Sequence, residues 1–214
     1  MEIEIVKPQE IEKRSFEIIE EELKERGIVL PEKEVPITKR VIHTSADFSY
    51  AETMTYSPGA IEQALELIKG GAHIVTDTNM AKAGINKKTL ARFGGQVHSF
   101  MADEAVAKEA KERGGTRAVV SMETAARLPG PVIFAIGNAP TALIELHEMI
   151  EQGAYVPAFI IGVPVGFVNV EAAKELFLDG DVPYIINRGR KGGSNISAAI
   201  CNALLYLASN NIRD

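Results

Sequence analysis

The apolar residues fall into two kinds of stretch, mixed helical faces and short, wholly apolar runs. Residues 9–26 carry Ile11, Phe16, Ile18, Ile19 and Leu23 among many Glu and Lys, and Gly27 follows. That predicts an amphipathic helix with a glycine just past its C-terminus. Pro31 and Pro36 bracket a short connector, and residues 35–43 read as a second helix. Residues 52–56 alternate polar and apolar with β-branched members, the pattern of a short strand. Ser57-Pro58 reads as the N-cap and first position of a helix running to Lys69 and stopping at Gly70-Gly71.

Beyond this point strand, loop and helix recur at least four times. Residues 73–76 predict a strand that runs into the polar turn Asp77-Thr78-Asn79 and a helix. Gly94-Gly95 precedes a strand near Val97, and residues 103–113 and 116–127 read as helices, Arg117 sitting in the first turn of the second. Residues 131–136 are apolar throughout, as in a strand buried on both faces of a parallel sheet. A helix through Gln152, a strand over residues 158–161 and a helix over residues 170–178 follow. A last strand at residues 183–186 leads through Arg188-Gly189-Arg190-Lys191-Gly192-Gly193-Ser194 into a closing helix over residues 195–208. This alternation predicts a single α/β domain over residues 1–214, an open, mainly parallel sheet with helices on both faces. Ligands of such sheets bind past the carboxyl ends of the strands. Those ends are Thr76-Asp77, Gly137-Asn138, Gly162 and the 188–194 loop.

Composition narrows the partners. With 23 Lys and Arg against 29 Asp and Glu the net charge is −6, which argues against nucleic acid and anionic membranes. An acidic ligand therefore needs a local basic patch. The start Met1-Glu2-Ile3-Glu4 lacks the basic-then-apolar order of a secretion signal. The longest apolar run, residues 156–170, is interrupted by Pro157, Gly162, Pro164 and Gly166, too often for a membrane span. One cysteine excludes an internal disulfide and fits the cytoplasm.

Candidate chemistry gathers at Arg40-Val41-Ile42-His43-Thr44-Ser45-Ala46-Asp47. Arg40 and His43 are three apart and share a helix face. If the helix continues, Asp47 falls one turn beyond His43, where its carboxylate could orient the imidazole and keep it protonated. The alternative is a helix end with a polar cap, Asp47 starting the next element. The 188–194 loop, between a strand and a helix N-terminus, suits a nucleotide phosphate, a substrate carboxylate or water alone. Neither G-x-x-x-x-G-K-[ST] nor G-x-G-x-x-G is present, and one Cys with four scattered His gives no zinc spacing. Cys201, among Ala, Ile and Leu, reads as a core residue; His73, His98 and His147 read as structural. The residues alone stop at an acidic α/β protein with a proton-transfer candidate and cationic loops for an anionic ligand.

Several segments in order resemble the precorrin-8X methylmutase family, including its cobalt-precorrin-8 branch. They are Arg14-Ser15-Phe16-Glu17-Ile18-Ile19, Arg40-Val41-Ile42-His43, the turn from Asp77 to Met80, Ile136-Gly137-Asn138-Ala139-Pro140-Thr141-Ala142-Leu143, Gly162-Val163-Pro164-Val165-Gly166-Phe167-Val168 and the 188–194 loop. The resemblance implies a cofactor-free, metal-free isomerase of cobalamin biosynthesis that moves a methyl group from C-11 to C-12 of a tetrapyrrole. It implies His43 as general acid, Ser15 and Arg40 as substrate contacts, and a homodimer. Arg117, Arg190 and Ser194 are added as contacts on physical grounds, because the substrate carries many carboxylates. His43-Thr44-Ser45-Ala46-Asp47-Phe48 looks more like the cobalt branch. A non-catalytic tetrapyrrole carrier is the alternative from another class; it would keep the basic loops without needing His43. A nucleotide-dependent enzyme, marked by tight ATP or NAD binding, comes third.

Overall fold

The computed structural model describes residues 5–210; the acidic start Met1–Glu4, read above for a secretion signal, lies outside them. In chain order the elements are α1 (Ile11–Glu25), α2 (Val35–Ser45), α3 (Tyr50–Thr53), β1 (Met54–Tyr56), α4 (Ala60–Lys69), β2 (His73–Thr76), α5 (Asn79–Gly84), α6 (Lys87–Ala91) and β3 (Val97–His98). Then come α7 (Glu104–Arg113), α8 (Arg117–Ala125), β4 (Val132–Ile136), α9 (Pro140–Glu151), β5 (Phe159–Gly162), α10 (Val170–Glu175), β6 (Tyr184–Asn187) and α11 (Ser194–Ala208).

The strands form one six-stranded sheet in the order β1-β6-β5-β4-β2-β3, parallel except for β1, which runs antiparallel to β6. Alternate side chains of each strand enter opposite layers. Ile74, Ile133, Phe159, Ile161 and Ile185 pack with α1, α2, α4 and α11. Val75, Phe134, Ile136, Ile160 and Ile186 pack with α8, α9 and α10. Both faces of β4 and β5 are thus covered, which is why these strands are apolar at every position. The expected open, mainly parallel sheet with helices on both faces is the one found. No helix of the described residues is long and apolar enough to cross a membrane.

Three local readings need correction. Ser57 is not the N-cap of α4. Its N–H donates to the Tyr184 carbonyl at 3.1 Å and its Oγ accepts the Tyr184 N–H at 2.9 Å, so it prolongs the β1–β6 ladder. The helix waits until after Gly59, whose φ of +69° turns the chain. Of the strand expected over residues 52–56 only Met54–Tyr56 is extended, because Glu52 and Thr53 belong to α3. The short α6, capped by Asn86 accepting the Thr89 N–H at 3.1 Å, has no counterpart in the sequence reading.

The sheet places the clefts. From β2 the chain goes outward to β3 and then crosses to β4 on the other side, so the strand order reverses between β2 and β4. A crevice past such a reversal is the usual ligand position. Here a side chain fills it. The buried Asp77 carboxylate accepts the N–H groups of Gly137, Asn138 and Ala139 at 2.8, 2.8 and 2.6 Å. Burial pushes this carboxyl up from its ordinary value, and the three N–H groups oppose that. Gly137 has no room for more: a Cβ there would lie 2.8 Å from Ser194 Cα.

Candidate functional site

His43 lies in the last turn of α2. Ala46 ends that helix in the left-handed conformation (φ 54°), its N–H donating to the Ile42 carbonyl at 2.7 Å. The helix therefore does not carry Asp47 on to the His43 face. Asp47 starts the next element instead, its Oδ1 accepting the Ser49 N–H at 3.0 Å and its Oδ2 accepting from Lys191 Nζ at 2.6 Å. The expectation of a carboxylate that keeps the ring protonated fails with it. His43 has its pKa lowered, first by partial burial and then by the Arg40 charge. Its ring, exposed on one side, meets the Phe16 ring edge-on at 5.4 Å between centroids.

α1 crosses α2 at this point, and the two helices enclose a cleft of about 390 Å³. His43 and Ser15 face it together, over a floor of Ile18, Ile19 and Ile42. Ser15 donates its hydroxyl proton back to the Ile11 carbonyl at 2.9 Å, which leaves its oxygen free to accept.

Arg40 lines a different cleft from His43. Its guanidinium is 5.3 Å from the Phe16 ring centroid and 5.0 Å from that of Tyr206, and Nη1 donates to Glu12 at 2.9 Å. With 14% of the side chain accessible, it lines a separate cleft of about 220 Å³ between α1, α2 and α11. Burial pulls its pKa down without threatening its charge.

The basic loop is held on several sides. Lys174 of α10, fully buried, donates to the carbonyls of Gly189 and Lys191 at 2.7 and 2.9 Å, and burial pushes its pKa down to about 8. Asn187 Nδ2 donates to the Lys191 carbonyl at 2.9 Å. Arg190 pairs with Glu171 at 3.2 Å and lies 5.6 Å from the Phe167 ring centroid. Ser194 opens α11 and exchanges a 2.7 Å hydrogen bond with Thr78. Lys191 reaches Asp47 and also donates to Ser49 Oγ at 2.9 Å, tying the loop to the segment just past His43. Arg117, at the exposed start of α8, is in the opposite helix layer. Because α8 feeds β4 from its other end, the start of α8 that carries Arg117 lies at the carboxyl-edge end of the sheet. No hydrogen bond or ion pair among the described residues joins it to the others.

The structure therefore places His43 and Ser15 in one cleft, Arg40 in its neighbour, and Arg190 and Ser194 on a loop laced to the end of α2. It adds two cleft residues that sequence reading passed over, Arg26 and Phe48. Arg26 looked like an ordinary cation at a helix C-terminus, and only the crossing of α1 over α2 gives it this position. Among the described residues no three His, Cys, Asp or Glu are grouped to hold a metal ion.

A family model described as precorrin-8X methylmutase matches residues 10–207. The chain belongs to the precorrin-8X methylmutase family. The cobalt-precorrin-8 methylmutase of Priestia megaterium is 42% identical over 97% of this chain and 91% of its own length. The precorrin-8X methylmutase of Pseudomonas aeruginosa is 38% identical over 92% of this chain and 94% of its own. A crystal structure of precorrin-8x methyl mutase from Thermus thermophilus superposes with a TM-score of 0.84 at 38% identity, covering 94% of this chain and 98% of that one. The chain is accordingly an isomerase of cobalamin biosynthesis with a tetrapyrrole substrate, and relatives named as methylmutases do not favour the carrier reading.

Proposed function

We propose that this methylmutase moves the methyl group of cobalt-precorrin-8 from C-11 to C-12, with His43 as the proton-transfer residue. The observation that carries the reading is the pairing of an open imidazole with a hydroxyl acceptor over an apolar floor, in one cleft. The cobalt form is favoured by the 42% identical Priestia relative, against 38% for the Pseudomonas relative named for precorrin-8X. In the shift the bond from methyl to C-11 breaks and that to C-12 forms, with no net gain of electrons or protons. A proton placed on the conjugated ring by His43 draws electron density away and eases migration; the same residue takes it back afterwards. The lowered pKa leaves the free imidazole largely neutral near pH 7. An incoming polycarboxylate favours the charged ring, so substrate binding itself raises the acid form.

Arg40 and Arg190 take substrate carboxylates by exchanging Glu12 and Glu171, and Ser15, Ser194 and Arg117 add contacts from three elements. Apolar side chains exposed near the same sheet edge, Met80, Phe167 and Val168, suit a second copy of the chain. On this reading the enzyme is a cytoplasmic homodimer, to be checked by sedimentation. The deciding experiment is single-turnover conversion by His43→Ala followed by absorbance. Loss of a positioned proton donor lowers the rate about 10²–10⁴-fold while corrinoid binding stays within a few-fold. A variant that converts substrate within a few-fold of the parent sinks the assignment.

A further inference from the structure

We propose that Arg26 is a substrate-binding residue that takes one carboxylate of the tetrapyrrole at the mouth of the His43 cleft. The proposal rests on the reading of that cleft as the substrate site. Among the described residues lining the cleft, Arg26 is the one arginine or lysine, while Arg40 faces its neighbour. The same side chain also borders the adjoining cleft of about 410 Å³ beside Asp47 and Ser49, so it stands where the two openings meet.

Its geometry suits recognition of a carboxylate. The guanidinium lies 4.3 Å from the centroid of the Phe48 ring, which steadies the planar group without using any of its N–H donors. Among the described residues only Nη2 is engaged, donating to Glu22 at 3.1 Å. The remaining donors of the fork stay open for a bidentate partner. Glu22 is an exposed partner one helical turn back, with 40% of its side chain accessible. Such pairs are weak and screened by salt, so a substrate carboxylate exchanges with Glu22 at little cost. Arg40 is harder to free, with 14% accessibility, two aromatic rings close by and the Glu12 bond. Without Arg26, Glu22 would set an uncompensated carboxylate at the entrance of a cleft meant for a polyanion.

The test measures binding by absorbance for the parent, Arg26→Ala, and Arg127→Ala as a control at an exposed arginine just past the end of α8. The probes are cobyrinate with free carboxylates and the same corrinoid with its carboxylates converted to amides. Arg26→Ala is expected to weaken cobyrinate about 10- to 100-fold, in the range of a hydrogen bond to a charged group. It leaves the amide form unchanged, and Arg127→Ala changes neither. Binding of cobyrinate by Arg26→Ala within twofold of the parent overturns the proposal, as does an equal loss for acid and amide. If that happens while His43→Ala is still slow, the cleft stands and the role of Arg26 alone falls. If His43→Ala is also active, the cleft assignment has failed first.

Discussion

At the scale of single residues, spacing put Arg40 and His43 on one helix but misjudged how their side chains diverge. Arg40 and His43 are three apart on α2, and that spacing is real, and Phe16 of α1 contacts both. The imidazole nevertheless lines one cleft and the guanidinium another, so the two functions open separately. Proximity still has a consequence that can be measured. The Arg40 charge and partial burial both hold the His43 pKa below its ordinary value. An NMR titration of the free protein should therefore place His43 below about 6.5, and Arg40→Gln should raise it by removing the like charge. A His43 that titrates above that value, or falls in Arg40→Gln, contradicts this electrostatic picture. Between the lowered folded pKa and the unfolded value the unfolded chain binds more protons, so this residue makes stability rise with pH across that window. Ser15 was beyond the reach of pattern altogether, since a serine inside a helix looks the same whether it faces solvent or a cleft; only family resemblance singled it out.

At the scale of elements, the buried strands were the most legible part of the chain. Val132–Ile136 and Phe159–Gly162 must be apolar at every position because helices cover both faces, and no competing pattern reads that way. Elements whose polar ends find partners far along the chain were not legible. Ser57 looked like a cap because its bond to Tyr184, 127 positions away, is invisible locally. Asp47 could be read as a companion of His43 or as the start of the next element, because nothing nearby betrays Lys191, 144 positions away. Lys174 gave no signal either, being one lysine in a short amphipathic helix, yet it is fully buried and straps the basic loop. Its pKa of about 8 makes a prediction about that strap. The unfolded lysine titrates near 10.4, so above about pH 8 the unfolded chain binds more protons than the folded one. The lysine's contribution to stability should rise with pH in that window, by at most about 1.4 kcal/mol per unit. Burial pushes the Cys201 thiol up to about 12, which opposes the rise from about pH 9 in parent and variant alike. The comparison is therefore urea unfolding of the parent against Lys174→Met at about pH 7.5 and about pH 9.5. The parent should gain on the variant as pH rises; parallel pH profiles would mean that Lys174 is not buried as a titrating amine.

At the scale of the molecule, the alternation of strands and helices was enough to give the sheet and its two covered faces. It could not say that Asp77 closes the crevice at the strand-order reversal, because that depends on three N–H groups beyond β4 converging on one carboxylate. With that crevice filled from within, the open clefts lie among α1, α2 and the segment after α2, and the cations Arg26, Arg40 and Lys39 line them. The whole chain carries −6, and its substrate is an anion too, so two electrostatic effects compete. The net charge is spread over the entire surface and acts mostly from beyond about 10 Å, where 0.1 M salt screens it. An arginine in contact with a carboxylate at about 4 Å contributes about 1 kcal/mol even at the dielectric constant of water, and more where the pair is partly buried. Contact attraction should therefore win. Cobyrinate binding is expected to weaken as salt rises from about 0.05 to about 0.5 M, although repulsion from the net charge alone would make salt strengthen it. The amide form of the same corrinoid should show little dependence. Arg40→Ala should flatten the salt profile of cobyrinate and weaken its binding by about 1.5–3 kcal/mol, the range for a hydrogen bond to a charged group. Titrations in which salt tightens cobyrinate binding would show that overall charge governs the encounter and that the arginines of these clefts do not hold the substrate.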